Sequence, residues 1–316
     1  MKVTIRRLNT GRVLDLYSGI GGISLGFKEA GFKHITGMEI DPLAVTVYRA
    51  RVGACWLGNL CPASHPPFMA DVVTADIPWG ARSSRKMKSA DMVPDVEVFT
   101  TFKLAVEALA KVVMIVAVPL GKTTILDLET HKFDSLRFIE ETAAEAGYRT
   151  STTIMDAADY GLPQHRKRVI TLAFKGAELH KRFKWPQPTH TGQRRKEAPV
   201  TVKDTLDIDY PFPSPTVTSS EFKSSWKGDH GGTSIPRRAS ERIAGFVGRA
   251  KWGNRTVCLE PWELAALQGL PSWDWSQIPK RASLPLIGRA FPPLLARVLG
   301  SSIYSALYGK KVGQVG

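Results

Sequence analysis

Short apolar runs alternate with amphipathic stretches through the first 175 residues. Arg12-Val13-Leu14-Asp15-Leu16 predicts a buried strand, Tyr17 to Gly22 a glycine turn, and Ile23 to Ala30 a helix closed by Gly31. Lys33 to Met38 reads as a second strand that ends in Glu39-Ile40-Asp41, and Pro42 to Val52 as a second helix. Gly53 to Met69, with Pro62, Pro66 and Pro67, reads as irregular. Asp71-Val72-Val73 is strand-like and runs into Thr74-Ala75-Asp76-Ile77-Pro78-Trp79-Gly80, which is followed by a polar, basic loop from Ala81 to Lys88. Phe99 to Ala110 has a helical pattern, and Lys111 to Val118 is an unbroken apolar run of the kind found in central parallel strands. Asp134 is placed to cap a helix over Ser135 to Ala146, with Leu136, Ile139, Ala143 and Ala146 on one face and Gly147 closing it. Arg149 to Met155 and Arg168 to Phe174 read as further strands. Strand–helix alternation of this kind predicts an α/β protein with a doubly wound parallel sheet.

The pattern changes after about Lys175. Residues 176–254 are rich in Lys, Arg, Ser, Pro and Gly, with few apolar runs, and helical periodicity returns over Pro261 to Gln268 and Pro292 to Tyr308. The expected organisation is a first domain over 1–175, a small second domain over 176–254, and a 255–316 segment that returns to the first. The basic residues of the middle segment interleave with Trp185, Phe222 and Trp226, which suits a nucleic-acid groove. The whole chain carries a formal net charge of +14, which favours a polyanionic partner, nucleic acid before membrane. Arg82, Ser83, Arg85, Lys86, Arg237 and Arg238 are the residues expected to meet DNA phosphates. Cys55, Cys61 and Cys258 have neither zinc-ligand nor disulfide-framework spacing, so no metal is expected and a reducing cytoplasm fits. No apolar stretch approaches the ~20 residues of a membrane span, and residues 1–13 lack a signal peptide's apolar core.

Two stretches carry chemistry. A strand, a glycine loop and a helix form a nucleotide-type cradle, because glycines let backbone N–H groups approach a ligand. Glu39, at the end of the second strand, stands where a carboxylate usually takes ribose hydroxyls. Asp76-Ile77-Pro78-Trp79 sets a carboxylate, a proline and a flat ring within one turn at a strand's end. That set suits a base held by its exocyclic amino group and stacked on the indole.

The ordered motifs resemble the DNA cytosine-C5 methyltransferases. Asp15-Leu16-Tyr17-Ser18-Gly19-Ile20-Gly21-Gly22 is nearly that family's first motif. Gln164-His165-Arg166-Lys167-Arg168 matches its Gln-x-Arg-x-Arg motif, Glu260 to Pro271 its ninth, and Ile287-Gly288 with Pro292 to Ala296 its tenth. The resemblance implies a Rossmann-like methyltransferase fold with a small target-recognition domain, acting on a flipped base of double-stranded DNA. It implies S-adenosylmethionine (S-adenosyl-L-methionine) bound by Asp15, Tyr17, Ser18, Gly19, Ile20, Gly22, Glu39, Ile40, Asn59, Leu60 and Pro78. It also implies a base pocket lined by Gln164, Arg166 and Arg168, and a prokaryotic or phage-encoded cytoplasmic protein for which a restriction nuclease is a candidate partner.

The sequence departs from the family at the reacting centre. The family's Pro-Cys-Gln is Pro78-Trp79-Gly80 here, and the glutamate and asparagine of its Glu-Asn-Val are Val116 and Ala117. Carbon 5 of cytosine is a poor nucleophile until a thiolate adds to carbon 6, and an indole cannot do that. The residues alone therefore point away from carbon 5. Asp76-Ile77-Pro78-Trp79 resembles the [Asp/Asn/Ser]-Pro-Pro-[Tyr/Trp/Phe] motif of the amino-methyltransferases, with Ile77 for the first proline. That resemblance implies transfer to an exocyclic amino group, N4 of cytosine before N6 of adenine, with Asp76, Pro78 and Trp79 as the catalytic set. The alternative is an inactive homologue that binds DNA.

Overall fold

The structure, a computed structural model, describes residues 11–77, 95–117, 135–192, 196–206, 208, 211–217, 234–236 and 256–309. Pro78, Trp79, Arg82, Ser83, Arg85, Lys86, Arg237 and Arg238 lie outside the described residues, as do Val118 and Asp134.

The strands β1 (Arg12–Leu16), β2 (His34–Glu39), β3 (Cys55–Leu57), β4 (Val72–Asp76), β5 (Val112–Ala117), β6 (Arg149–Asp156) and β7 (Lys167–Phe174) form one sheet. Its order is β3-β2-β1-β4-β5-β7-β6. The first five strands pair in parallel. The expected parallel sheet ends there, because β7 runs antiparallel to β5. Apolar runs such as Val112 to Val116 mark a strand buried on both faces, but they carry no direction.

The helices are α1 (Gly22–Glu29), α2 (Pro42–Arg51), α3 (Asp95–Glu107), α4 (Ser135–Glu145), α5 (Ala177–Arg182), α6 (Val202–Thr205), α7 (Pro261–Leu267), α8 (Lys280–Arg289) and α9 (Pro293–Tyr308). One face of the sheet supplies Leu14, Leu16, Val73, Ala75, Val113, Ile115 and Ala173 to a core shared with Val98, Phe102 and Ala105 of α3 and Ile139 and Ala143 of α4. Helices α1 and α9 pack against each other away from that core. Gly300 on α9 allows this packing, since a Cβ there would stand 2.9 Å from that of Ala30. Two elements escape sequence reading for physical reasons. Strand β3 is three residues long with Trp56 and Leu57 exposed, so it shows no period. Helix α8 contains Pro285, which ordinarily ends a helix.

The chain divides into two compact units. The first comprises residues 1–154, 168–186 and 296–316 and holds most of the sheet; the second comprises 155–167 and 187–295. Within the described residues of the second, β8 (Ser234–Pro236) pairs antiparallel with β9 (Thr256–Cys258). No described helix is long and apolar enough to cross a membrane.

Candidate active site

The glycine loop leaves β1 through an abrupt change of hand. Tyr17 (φ 54°), Gly19 (φ 53°) and Gly21 (φ 90°) all take left-handed backbone. A side chain is strained there, so Tyr17 marks a conformation that the surroundings enforce. Gly21 is doubly constrained, because a Cβ would meet Val52 at 2.7 Å and Tyr48 at 2.9 Å. In front of Gly19 a Cβ would meet nothing within 4 Å, so the loop's backbone faces open space at that point. Ser18 donates its N–H to Met38 (3.1 Å), which ties the loop to the end of β2.

Glu39 closes the cradle. Its Oε2 accepts from the Gly19 N–H at 2.7 Å, and its Oε1 accepts from the N–H groups of Ile40 (2.8 Å) and Asp41 (2.9 Å). A carboxylate offers about four acceptor positions, so one remains on Oε2 for a ligand hydroxyl. Asp41 then caps α2, accepting from Leu43 N–H at 3.0 Å, with Pro42 as the first helical residue. Ile40 is 59% and Leu57 52% exposed at the carboxyl ends of β2 and β3, and the exposed Asn59 and half-buried Leu60 follow. Apolar faces beside a ribose-type carboxylate and an open glycine loop fit an adenosyl group. Tyr17, Ser18, Gly19, Glu39, Ile40, Asn59 and Leu60 would hold it.

Asp15 does something else. It is fully buried and accepts from Ser24 Oγ (2.6 Å) and Thr74 Oγ1 (2.7 Å), while Ser24 Oγ also meets Tyr48 Oη at 2.7 Å. Burial pushes its carboxyl up to about 7, against the pull of the Ser24 and Thr74 hydrogen bonds. Asp15 therefore locks β1, α1 and β4 together beneath the loop and does not face a ligand. Ile20, 1% exposed, and Gly22 likewise serve as packing under the loop.

Three strand ends meet on Asp15's face of the sheet. Asp76 is the register partner of Val116, and Val116 of Ile170. Arg168 lies two residues before Ile170 and so on the same face. Asp76 is half-buried, while Arg168 is 8% exposed. Burial lowers the Arg168 guanidinium's affinity for its proton, and the Asp76 carboxylate works against that.

The other two expected base-pocket residues belong to the second unit and spend their side chains inside it. Gln164 donates to Leu267 O (3.1 Å) and Gln268 Oε1 (2.9 Å) and accepts from Val217 N–H (2.9 Å). Arg166, 1% exposed, donates to Val217 O (2.7 Å), Gly288 O (2.9 Å) and Ala290 O (3.1 Å). Both are braces in this arrangement, not surfaces of an open pocket. Asp156 anchors the same segment by accepting from Arg166 N–H (2.8 Å) and meeting His165 Nδ1 at 3.1 Å. Burial alone would raise the Asp156 carboxyl, but His165 and these backbone donors bring it below its usual range. Sequence reasoning missed Asp156, whose only signal was its place at the end of a strand.

Neither Cys55 nor Cys61 stands at the strand ends around Asp76 and Arg168. Cys55 is buried in β3, which pushes its thiol up to about 11. Cys61 has a lowered pKa through its hydrogen bond with Ser64, on the loop after β3. Among the described residues no group of three or more His, Cys, Asp or Glu side chains could hold a metal ion.

A sequence model of the C-5 cytosine-specific DNA methylase family matches residues 11–60 and 127–230, which include the glycine loop, Glu39 and the segment from Gln164 to Arg168. The chain is similar to that family over these residues. The type II methyltransferase M.NgoMIV of Neisseria gonorrhoeae is 26% identical over 329 residues, covering 93% of this chain and 97% of that protein. M.MspI of a Moraxella species is 28% identical over 186 residues, 56% of this chain and 41% of that protein. A Spodoptera frugiperda DNMT2 variant superposes with a TM-score of 0.63 at 13% identity, over 93% of this chain and 99% of that one; that is a likeness of fold. The methylase family uses S-adenosylmethionine, in keeping with the cradle around Glu39.

The family match corrects one expectation. The residues at positions 79 and 116 argued against methylation at carbon 5 and for an amino-directed enzyme. The match to a C-5 cytosine-specific family, with relatives such as M.NgoMIV and M.MspI, points to carbon 5 instead. Two substituted side chains weigh less than a match that takes in both the glycine loop and the segment from Gln164 to Arg168.

Proposed function

We propose that this chain transfers a methyl group from S-adenosylmethionine to cytosine in double-stranded DNA. The observation that carries the reading is the Glu39 clamp. A carboxylate fixed by three backbone N–H groups, one from the glycine loop itself, is preorganised to take a ribose hydroxyl beside an open loop backbone. Similarity to the C-5 cytosine-specific family supports DNA as substrate and cytosine as target, and it favours carbon 5 as the position methylated. A net charge of +14 supports a polyanionic substrate. Type II relatives support a partner nuclease that cuts the same site. Residues 1–175 would carry the chemistry, with 176–254 reading the DNA and 255–316 returning to the first domain. Arg82, Ser83, Arg85, Lys86, Arg237 and Arg238 would meet its phosphates.

One observation favours a second reading for the acceptor atom. Asp76, half-buried at the end of β4, precedes Pro78 and Trp79, and a carboxylate there can accept from the exocyclic amino group of cytosine. That nitrogen adjoins carbon 5 on the ring, so both readings require the same flipped base in nearly the same place. Mass spectrometry of nucleosides from DNA incubated with the protein and labelled cofactor tests both. Label in 5-methylcytosine supports the first reading, and label in N4-methylcytosine the second. Label in N6-methyladenine alone would remove cytosine as the target. No label in any nucleoside, from protein that binds the cofactor, would leave a DNA-binding homologue without transfer activity.

A further inference from the structure

We propose that Asp76 and Arg168 form the base-reading clamp of this protein, with Asp76 supplying from β4 the carboxylate that the methylase family places on β5. The inference deepens the cytosine reading above and rests on it. Strand register places the two residues. Position 116 aligns with the family's glutamate and holds a valine, fully buried on β5. Its direct partner on the next strand is Asp76, and cross-strand partners point to the same face of a sheet. The acid missing from one strand thus reappears beside it, about 5 Å away in the hydrogen-bonding direction, on the same face and at the same sheet edge.

The other half of the clamp enters from the opposite side of β5. The register of β5 with β7 pairs Val116 with Ile170 and Ala117 with Val169, which sets Arg168 one step beyond the end of β5. Asp76 and Arg168 therefore flank Val116, one from each side. A buried guanidinium needs a compensating charge. Asp76 is the group whose charge opposes the effect of burial on Arg168. Asp76 itself is only half-buried, so the pair stands at the rim and not in the core.

This geometry selects a base by its edge. Cytosine presents an amino donor at N4 and acceptors at N3 and O2. A carboxylate on one side and a guanidinium on the other match that order: Asp76 accepts from N4–H, and Arg168 donates to O2. Thymine puts a carbonyl where the amino group belongs, so its O4 would face the Asp76 carboxylate. Adenine has the amino group but no O2 for Arg168. Neither Asp76 nor Arg168 alone makes this distinction; the pair does.

The test needs neither a recognition sequence nor turnover. Fluorescence anisotropy would measure binding of the full chain to fluorescein-labelled dC, dT and dA dodecamers at about pH 8, with saturating S-adenosylhomocysteine. The clamp predicts about ten-fold tighter binding of the dC oligomer by the wild type. Asp76→Ala should level the three affinities while binding S-adenosylhomocysteine as the wild type does. Asp76→Asn keeps the side chain's shape, and it should reduce the dC preference if the alanine variant fails to fold. Arg168→Lys loses the planar fork and should narrow the preference against dA. No dC preference in the wild type, or a preference undiminished by Asp76→Asn, would overturn the proposal. A dC preference in a protein that methylates no DNA would sustain the clamp and sink the transferase reading, so the two fail separately.

Discussion

Replacing Glu39 by glutamine tests the cofactor cradle with the smallest change of shape. The carboxylate is approached from both sides by donors: Gly19 N–H on Oε2, and Ile40 and Asp41 N–H on Oε1. An amide has one oxygen and one NH2 group. Whichever way the new side chain turned, its NH2 would face at least one backbone N–H, so a charge-assisted hydrogen bond would become a donor–donor clash. Hydrogen bonds to charged groups contribute about 1.5–3 kcal/mol each. Losing one in the cradle, together with the acceptor for a ribose hydroxyl, should weaken S-adenosylmethionine binding by about 10- to 150-fold. Isothermal titration calorimetry on folded wild type and Glu39→Gln reads this directly. Glu39→Ala should be at least as weak, since it removes all three acceptor contacts. Glu39→Gln binding within about two-fold of the wild type would refute the reasoning, because the donor pattern allows no satisfactory amide.

Three further outcomes follow from the same geometry. Gly37→Ala should weaken cofactor binding without touching the ligand, because the new Cβ would stand 2.6 Å from Ser18 Oγ and 2.8 Å from the Tyr48 ring and push the loop outward; overpacking of this kind costs about 1–3 kcal/mol, read as a lower urea midpoint and a raised Kd. Arg166→Ala should destabilise the second unit by about 3 kcal/mol or more, since it leaves the carbonyls of Val217, Gly288 and Ala290 without this donor; limited proteolysis should then cut within 187–295, and an unchanged digest would count against the bracing role. Asp15 should make stability fall as pH rises: its carboxyl titrates near 7 when folded and near 3.8 when unfolded, so the folded state binds the extra proton between those values. The contribution is present below about pH 4, declines through pH 7, and amounts to a few kcal/mol. Asp15→Asn should therefore show a flatter dependence of the urea midpoint between about pH 5.5 and 8 than the wild type.

The fold was legible wherever a segment carried its own period or its own punctuation. Strand β1, the glycine turn, α1 and Asp41-Pro42 at the start of α2 could be placed because each ends on a residue with a local mechanism: a left-handed glycine or a capping carboxylate. The antiparallel course of β7 could not be placed, because strand direction is set by packing between segments and leaves no trace in a run such as Val169 to Phe174. The site divided in the same way. Glu39 was visible from its distance to the glycine loop, and its bond to Gly19 spans only 20 positions. Asp15, equally prominent in its motif, gave no sign of its complete burial, because its partners Ser24 and Thr74 come from two separate elements.

The Asp76 clamp shows why motif comparison can undercount what a site retains. Compared position by position, the chain has lost a catalytic acid at Val116 and gained an unrelated one forty positions earlier. In the sheet those positions are neighbours. A parallel ladder brings residues from different segments level, and only side chains on one face can share a ligand. A carboxylate can therefore move from one strand to the next along a rung and still reach the same ligand. A move of one residue along its own strand would turn it to the opposite face, into the core of Ala75 and Ile115. That opposite face is closed to a charge by burial cost. Asp76 and Val116 are direct partners, so the exchange between them preserves both the face and the level along the strands. Arg168 fixes the expected consequence: its buried guanidinium retains a carboxylate across β5 after the β5 acid is gone. If Asp76 were an incidental strand-end residue, Arg168 would tolerate its removal; if it is the relocated acid, Asp76→Ala should lower the thermal midpoint and erase the cytosine preference together.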